Sequence, residues 1–413
     1  MATSAWSMLQ SMYRIIIIAC VIVIHGMAHS EVQAASATSV DVGWDHACAI
    51  TSGQVWCWGA NVSGQLGDKS NTLQTGAVRA KKNNNNNLAN VTSLATGGFH
   101  TCAITSGQVW CWGANASGQL GNRANTNMNG AVRAVKNNGN QLSNVTAIAA
   151  GSYHTCAITS GQVWCWGSNS YGQLGNTNTD NKNGAVRAKK SDGSVLANVT
   201  AIAAGAYHTC AITNGQVWCW GANASGQLGN NTILNSYGAT RTKTSASAFL
   251  TGATKIAAGG STSCAVTTKV LCWGNNQYGQ VGNKSTVNQI VAQSALQSNS
   301  LTINDAVKVD VGAFHTCVAR RNGKTNCWGE NSYGALGNRT RTNSSFAVLA
   351  QKNNNTAFSS ATTVAAGAYS TCAITSGQVW CWGINSSGNL GDNTKTTRTG
   401  AVRTKYGSGA VFP

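Results

Sequence analysis

Charge is what this chain has least of. Only 9% of its 413 residues are Asp, Glu, Lys or Arg. Helix-forming Glu/Lys pairs are almost absent, which removes the usual signature of charged surface helices. The acids after residue 34 are Asp41, Asp45, Asp68, Asp180, Asp192, Asp305, Asp310, Glu330 and Asp392. They are scattered, and no carboxylate pair, Ser/His/Asp order or phosphate loop emerges from them, so catalysis has little foothold. Proline is confined to Pro413, whereas there are 47 Gly amid many Asn, Ser and Thr. That balance fits β structure with many turns. Against ten acids stand 28 Lys and Arg, a formal charge of +18 that invites acidic partners.

Long apolar runs are also missing, with one exception. Arg14 precedes "IIIIACVIVI" (residues 15–24), and small-residue cleavage sites follow after Ser30 or Ala34. Ten apolar residues behind one basic residue describe a secretory signal peptide, since a membrane span needs about 20. The expectation is therefore a leader over 1–34 and a secreted mature chain without a membrane span; an uncleaved anchor is the other reading. Cysteine usage agrees, because 15 Cys less Cys20 in the leader leaves an even 14, the pattern of complete pairing in an oxidising compartment.

Those cysteines expose the plan of the chain. They fall in close pairs: Cys48 and Cys57, Cys102 and Cys111, Cys156 and Cys165, Cys210 and Cys219, Cys264 and Cys272, Cys317 and Cys327, Cys372 and Cys381. Consecutive pairs begin about 54 residues apart, so seven tandem copies fill the chain at about 40–89, 90–143, 144–197, 198–251, 252–305, 306–360 and 361–413. In the third copy, "HTCAIT" and "QVWCWG" flank Ser160-Gly161, the signature of a two-residue β-hairpin. Counting outward from that turn puts Cys156 opposite Cys165 at a non-hydrogen-bonded pair, where side chains approach closely enough for a disulfide. The fifth and sixth copies keep their cysteines opposite with three-residue turns, Arg321–Gly323 in the sixth. Each bridge closes about ten residues and contributes roughly 2 to 3 kcal/mol on the chain-entropy model. A metal reading of the pairs lacks a second close pair or His to complete four ligands.

Seven all-β units of this size predict a seven-bladed β-propeller, one four-stranded sheet per copy, whose closure hides sheet edges. An open β-solenoid is the alternative. The recurring "AGxxHTCAIxxxGQVWCWGxNxxGQLG" resembles the repeat of the regulator-of-chromosome-condensation family, whose members are seven-bladed propellers. With a Cys pair in every hairpin it further resembles the extracellular propellers of Crinkly-type plant receptor kinases and cysteine-bearing secreted bacterial members of that family. The resemblance covers all seven copies but does not choose a function. Guanine-nucleotide exchange, the role of the nuclear founder, fits poorly with a leader and disulfides. Photoreception in the family relies on clustered Trp in G-W-R-H-T motifs, and only Gly43-Trp44-Asp45-His46-Ala47 approaches that here. A third type inhibits β-lactamase through an aromatic face built from the G-x-x-H loops.

Trp44, Phe99, Tyr153, Tyr207, Phe314 and Tyr369 occupy those loops, with Ser261 the exception, and predict an aromatic ring on one face. Such a ring serves either as interface anchors or as packing between blades. His46, His100, His154, His208 and His315 recur in the same motif, replaced by Thr262 and Ser370 elsewhere, which predicts a hydrogen-bonding role inside the blade rather than a base or a metal ring. Trp110 and Trp112, two apart, share a sheet face and are expected to pack between adjacent blades and shield the disulfides, a carbohydrate platform being the other reading. Arg79, Arg133, Arg187, Arg241 and Arg403, each followed closely by Lys, predict a basic rim for an acidic polysaccharide or protein, or a charge-protected edge strand. The Asn/Lys/Ser insertions read as flexible loops. Twelve N-x-S/T sites are candidate glycan acceptors in a eukaryotic secretory pathway. The expected function is a monomeric, non-catalytic secreted binding module without cofactor or metal, whose partner is an extracellular protein or anionic polysaccharide and not nucleic acid. A lyase on acidic polysaccharide using Tyr, His and Arg, or a structural extracellular component, are the competing readings.

Overall fold

The computed structural model describes residues 36–413, so the expected leader and Cys20 lie outside the described residues. Twenty-eight strands form seven separate four-stranded antiparallel sheets in a ring, each built from four consecutive strands, and the described residues contain no helix. The fold is thus the seven-bladed propeller. In the first blade the strands are Ala37–Val42, His46–Thr51, Gln54–Gly59 and Gln74–Arg79. First strands contact one another around the axis, and fourth strands lie outermost.

The hairpin of strands two and three has the expected register. Thr159 pairs with Gln162 and Cys156 with Cys165, and Ser160 and Gly161 both have positive φ, 50° and 67°, as a type I′ turn demands. Every expected Cys pair is a disulfide. Cys48 is bonded to Cys57, Cys102 to Cys111, Cys156 to Cys165 and Cys210 to Cys219. Cys264 is bonded to Cys272, Cys317 to Cys327 and Cys372 to Cys381. Their Cα atoms are 4.0 to 4.1 Å apart throughout. That separation belongs to the closer, non-hydrogen-bonded kind of pair. In the fifth blade Val266 pairs with Val270 across three residues, and in the sixth Arg320 N bonds Lys324 O across Arg321–Gly323.

The recurring words of the repeat either join one blade to the next or fold the loop that does so. Trp112 is fully buried and packs with Trp110 against Cys48, Cys57 and Leu66 of the preceding blade. Its Nε1 donates to Gln65 O at 2.9 Å, and a Cβ on Gly67 would strike the same indole. G-Q-L-G is therefore the socket and the second Trp its plug. Asn61 of W-G-x-N accepts from Leu66 N and donates to the loop beyond, at Ser70 O and Thr72 O, so it folds that loop from within. The ring closes by the same contacts, with Trp58 Nε1 on Asn389 O and Trp58 beside Phe412 in the cluster holding Cys372 and Cys381.

The insertions depart from the flexible-loop expectation. Lys81 bridges to Asn87, and Lys82 pairs in parallel with Ala131 on the outer strand of the next blade. Ala131 N donates to Lys81 O at 2.8 Å, and Ala185, Ala239, Ala292, Ala347, Ala401 and Ala77 do likewise around the ring. An outer strand has unpaired backbone groups that invite association. Here each edge is paired by its neighbour's insertion, which explains why so polar a segment is ordered.

Candidate functional site

The face at the start of each second strand carries the G-x-x-H loops. The five His rings point inward from it. His154 Nε2 lies 2.9 Å from Thr209 Oγ1 in the next blade, and that hydroxyl already donates to Gln173 O. The ring must therefore donate from Nε2, while Nδ1 finds no partner. His46, His100, His208 and His315 repeat the contact with Thr101, Thr155, Ser263 and Thr371. Burial lowers the pKa to about 3 for His46, His100, His154 and His208, and to about 4 for His315. These are neutral fastenings between blades. A Cβ on Gly151 would meet the His154 ring, so the first Gly of the motif makes room for it. At the closing junction the hydroxyl position is Ala47, and Ser370 stands in place of His.

Between the loop Gly and the His stand the aromatic residues, all half-buried. They do not form a continuous ring. Phe99, Tyr153, Tyr207, Phe314 and Tyr369 immediately precede the His position, but Trp44 stands one residue earlier in its loop, and Asp45 takes the equivalent place. Two arcs result. In one, Trp44 lies edge-on to Phe99 and Tyr153 at 5.0 and 6.0 Å, and Tyr153 stacks on Tyr207 at 5.9 Å. In the other, Phe314 stacks on Tyr369 at 5.0 Å. Ser261 separates the arcs on one side and Asp45 on the other, since neither position supplies a ring.

Three aromatic residues missed in the sequence complete this face. Tyr171, Tyr278 and Tyr333 come from the loops after the third strand and pack on Tyr207, Phe314 and Tyr369 of the following blade at 5.2, 5.9 and 5.2 Å. They are 43%, 38% and 41% exposed. Their signal was an aromatic in "SYG" or "QYG" where other copies have Ser before Gly. Burial, then Glu330, Tyr278, Tyr333 and Asp45, raises the pKa of Tyr369. Burial, with Tyr153 and Tyr171, raises that of Tyr207.

The basic residues lie at the other end of the strands. Gln74 opens the outer strand opposite Gly59, near the aromatic face, whereas Arg79 closes it opposite Trp56, toward the hairpin turns. Arg79, Arg133, Arg241 and Arg403 are half-buried and Arg187 is exposed. Because the seventh blade adjoins the first, these five occupy consecutive blades and form one arc, broken at Ser294 and Leu349. Lys82, Lys136, Lys190 and Lys352 lie over Trp110, Trp164, Trp218 and Trp380 of the next blade, 4.6 to 5.3 Å from the ring centroids. Arg241 stacks on Phe249 at 3.8 Å.

A central cavity of about 190 Å³ runs between the first strands. Two positions before the loop Gly, five blades have Ala, but the first and sixth have Asp41 and Asp310. Asp41 accepts from Thr96 N at 2.6 Å and Asp310 from Ala366 N at 2.7 Å, each in the following blade. Burial raises both pKa values, Asp310 to about 7, against the lowering effect of Lys308 nearby. Four of the glycan candidates, Asn61, Asn115, Asn223 and Asn385, are buried with both amide atoms engaged, so a glycan cannot sit on them in the folded protein. Among the described residues no group of three His, Cys, Asp or Glu is arranged to hold a metal ion, and no helix is long and apolar enough to cross a membrane.

The RCC1-like domain family matches residues 72–408, and the regulator of chromosome condensation (RCC1) repeat matches 37–65. The mitochondrial RCC1 domain-containing protein RUG3 of Arabidopsis thaliana is 30% identical over 300 residues, 68% of this chain and 64% of that one. The ultraviolet-B receptor UVR8 of the same plant is 26% identical over 310 residues, 72% of this chain and 66% of UVR8. The chain thus spans slightly under two thirds of these relatives. The structure is similar in fold to human WBSCR16, with TM-score 0.68 and 21% identity over 85% of this chain and 94% of that one. Yeast RCC1 (Prp20), solved bound to Kap60, gives TM-score 0.69 and 19% identity over 91% and 86%. With the same repeat words, the same seven blades and a family match over most of its length, this chain belongs to the RCC1-like domain family.

Proposed function

We propose that the protein is a non-catalytic binding module that works outside the cytosol and engages a protein partner through its aromatic face. The observation that carries this reading is the pair of aromatic arcs. Nine rings, half-buried or exposed, crowd one end of the propeller and brace one another in edge-on and stacked contacts. Braced rings give up little conformational freedom on binding, and aromatic anchors of this kind dominate interface energies. The loops beneath are held by the buried His and Gly, so the surface is formed before a partner arrives. Seven disulfides support an oxidising compartment. Yeast RCC1 is a structural neighbour solved with a protein partner, which adds precedent for the fold.

A second reading, an anionic polysaccharide on the basic arc, is favoured by the Lys-over-Trp contacts and the Arg residues on five consecutive blades. That surface lies at the hairpin end, away from the aromatic face. The lyase alternative loses its premise, since the His rings are buried at blade junctions and the Arg arc lies at the opposite end of the strands from the Tyr residues.

Pull-down and glycan-array screens with the wild type and with Phe99, Tyr153 and Tyr207 changed to Ala test the proposal. We expect captured protein to fall at least tenfold with the three substitutions, since each hot-spot aromatic is worth about 2 kcal/mol or more. Capture unaffected by them, or only a salt-sensitive glycan signal, moves the function to the basic arc.

A further inference from the structure

The two arcs differ in charge. Glu330, in the sixth blade, is 4% exposed. Its amide donates to Phe314 O at 3.0 Å, and its Oε1 accepts from Ser332 N at 2.6 Å. Oε2 has no hydrogen-bond partner, and among the described residues no Lys, Arg or His forms an ion pair with it. On a chain of +18, this is a buried carboxylate without a cation. Asp45 adds a second acid on the far side of Tyr369, in the place where other blades carry a ring. Asp45 also borders the Trp44 end of the other arc, but Tyr207 there is influenced only by Tyr153 and Tyr171 and by no acid.

Phe314, Tyr369 and the exposed Tyr333 therefore offer ring faces, negative by their quadrupoles, in the field of fixed negative charge. Both attract a cation, and a weakly hydrated planar cation such as guanidinium gains most from aromatic faces. We infer that the arc of Phe314, Tyr333 and Tyr369, with Glu330 buried beside it, receives an Arg or Lys side chain of the protein that docks on this face. The cation completes an electrostatic balance that the free protein leaves open, since a buried charge is costly when unpaired. This site rests on the aromatic-face reading and gives it a specificity: a partner with a basic residue at that position is selected over one with a neutral residue.

The test titrates the protein with Nα-acetyl-arginine methylamide and with its neutral, nearly isosteric citrulline counterpart, reading the ring signals of labelled tyrosines by NMR. The arginine compound should shift Tyr333 and Tyr369 and bind about tenfold more tightly than the citrulline compound. Glu330→Gln, which keeps the volume, should bring arginine down to the citrulline affinity. Tyr333→Ala, at an exposed site that does not enter the core, should weaken the arginine compound without lowering thermal stability. Equal affinities for the two compounds, or an arginine preference that survives Glu330→Gln, overturns the inference. If partner capture is lost on changing Phe99, Tyr153 and Tyr207 while no arginine preference is found, the face reading stands and the cation site alone falls.

Discussion

Single residues here act mostly across a boundary between blades. Gly121 is an example, because its φ of +70° and the Trp166 indole 2.6 Å from its would-be Cβ leave no room for a side chain. Gly193 has a similar φ, +82°, but nothing within 4 Å of its would-be Cβ. Gly121→Ala should cost roughly 2 to 4 kcal/mol, from strain plus displacement of a buried Trp, and Gly193→Ala only about 1 from the backbone alone. Urea unfolding of the two variants checks the difference; equal losses show that the Trp socket contributes nothing. The His residues were legible as structural from their replacement by Thr and Ser. That Asp45 would break the aromatic ring was not, because the one-residue offset of Trp44 matters only once the loops are laid side by side.

Blades are hairpins fastened by a disulfide and then covered by the next blade. With Cys156 and Cys165 both changed to Ala, the third blade should lose roughly 2 to 3 kcal/mol on the chain-entropy model. The core is fully buried there, so any cavity adds to that loss. Unfolding measured with and without reductant checks it, and a wild type insensitive to reductant under conditions that cleave the bridges contradicts the estimate. At this scale the sequence was highly informative. Turn length, cysteine register and the placement of each Trp follow from period-two strands and a two-residue turn. The insertions were misread, because nothing local announces that Lys81 and Lys82 pair with a strand of another blade.

The whole molecule carries an opposed set of buried titrating groups. Five His have pKa values lowered to about 3 or 4, so the unfolded chain takes up protons below pH 6.5 that the folded one refuses. Their contribution is present in full above pH 6.5 and is lost as pH falls toward 3, by about 1.4 kcal/mol per pH unit for each fully titrating group. Asp41 and Asp310 work the other way. Both pKa values are raised, Asp310 to about 7, so the fold holds protons that the unfolded chain releases above about pH 4, and acid favours them. Five against two leaves the His in control. Melting temperature should fall steadily from pH 6.5 to 4, with a net uptake of protons on unfolding near pH 5. A melting temperature that is flat or rises over that range shows that the His rings are not held neutral.

From the sequence alone came the number of blades, the strand pattern within each, the disulfides, the Trp that pack between blades and the structural role of the His, because all of these repeat and depend on local spacing. The structure places the His hydrogen bonds across blade junctions rather than inside a blade. Only the closed ring decided what is shared between copies. It split the aromatic residues into two arcs, drew Tyr171, Tyr278 and Tyr333 from one blade onto the next, gathered Arg403 with Arg79 across the closure, and left Glu330 without a cation. Those relations join residues 36 to 324 positions apart, and no periodicity along the chain encodes which side chain of one blade meets which side chain of its neighbour.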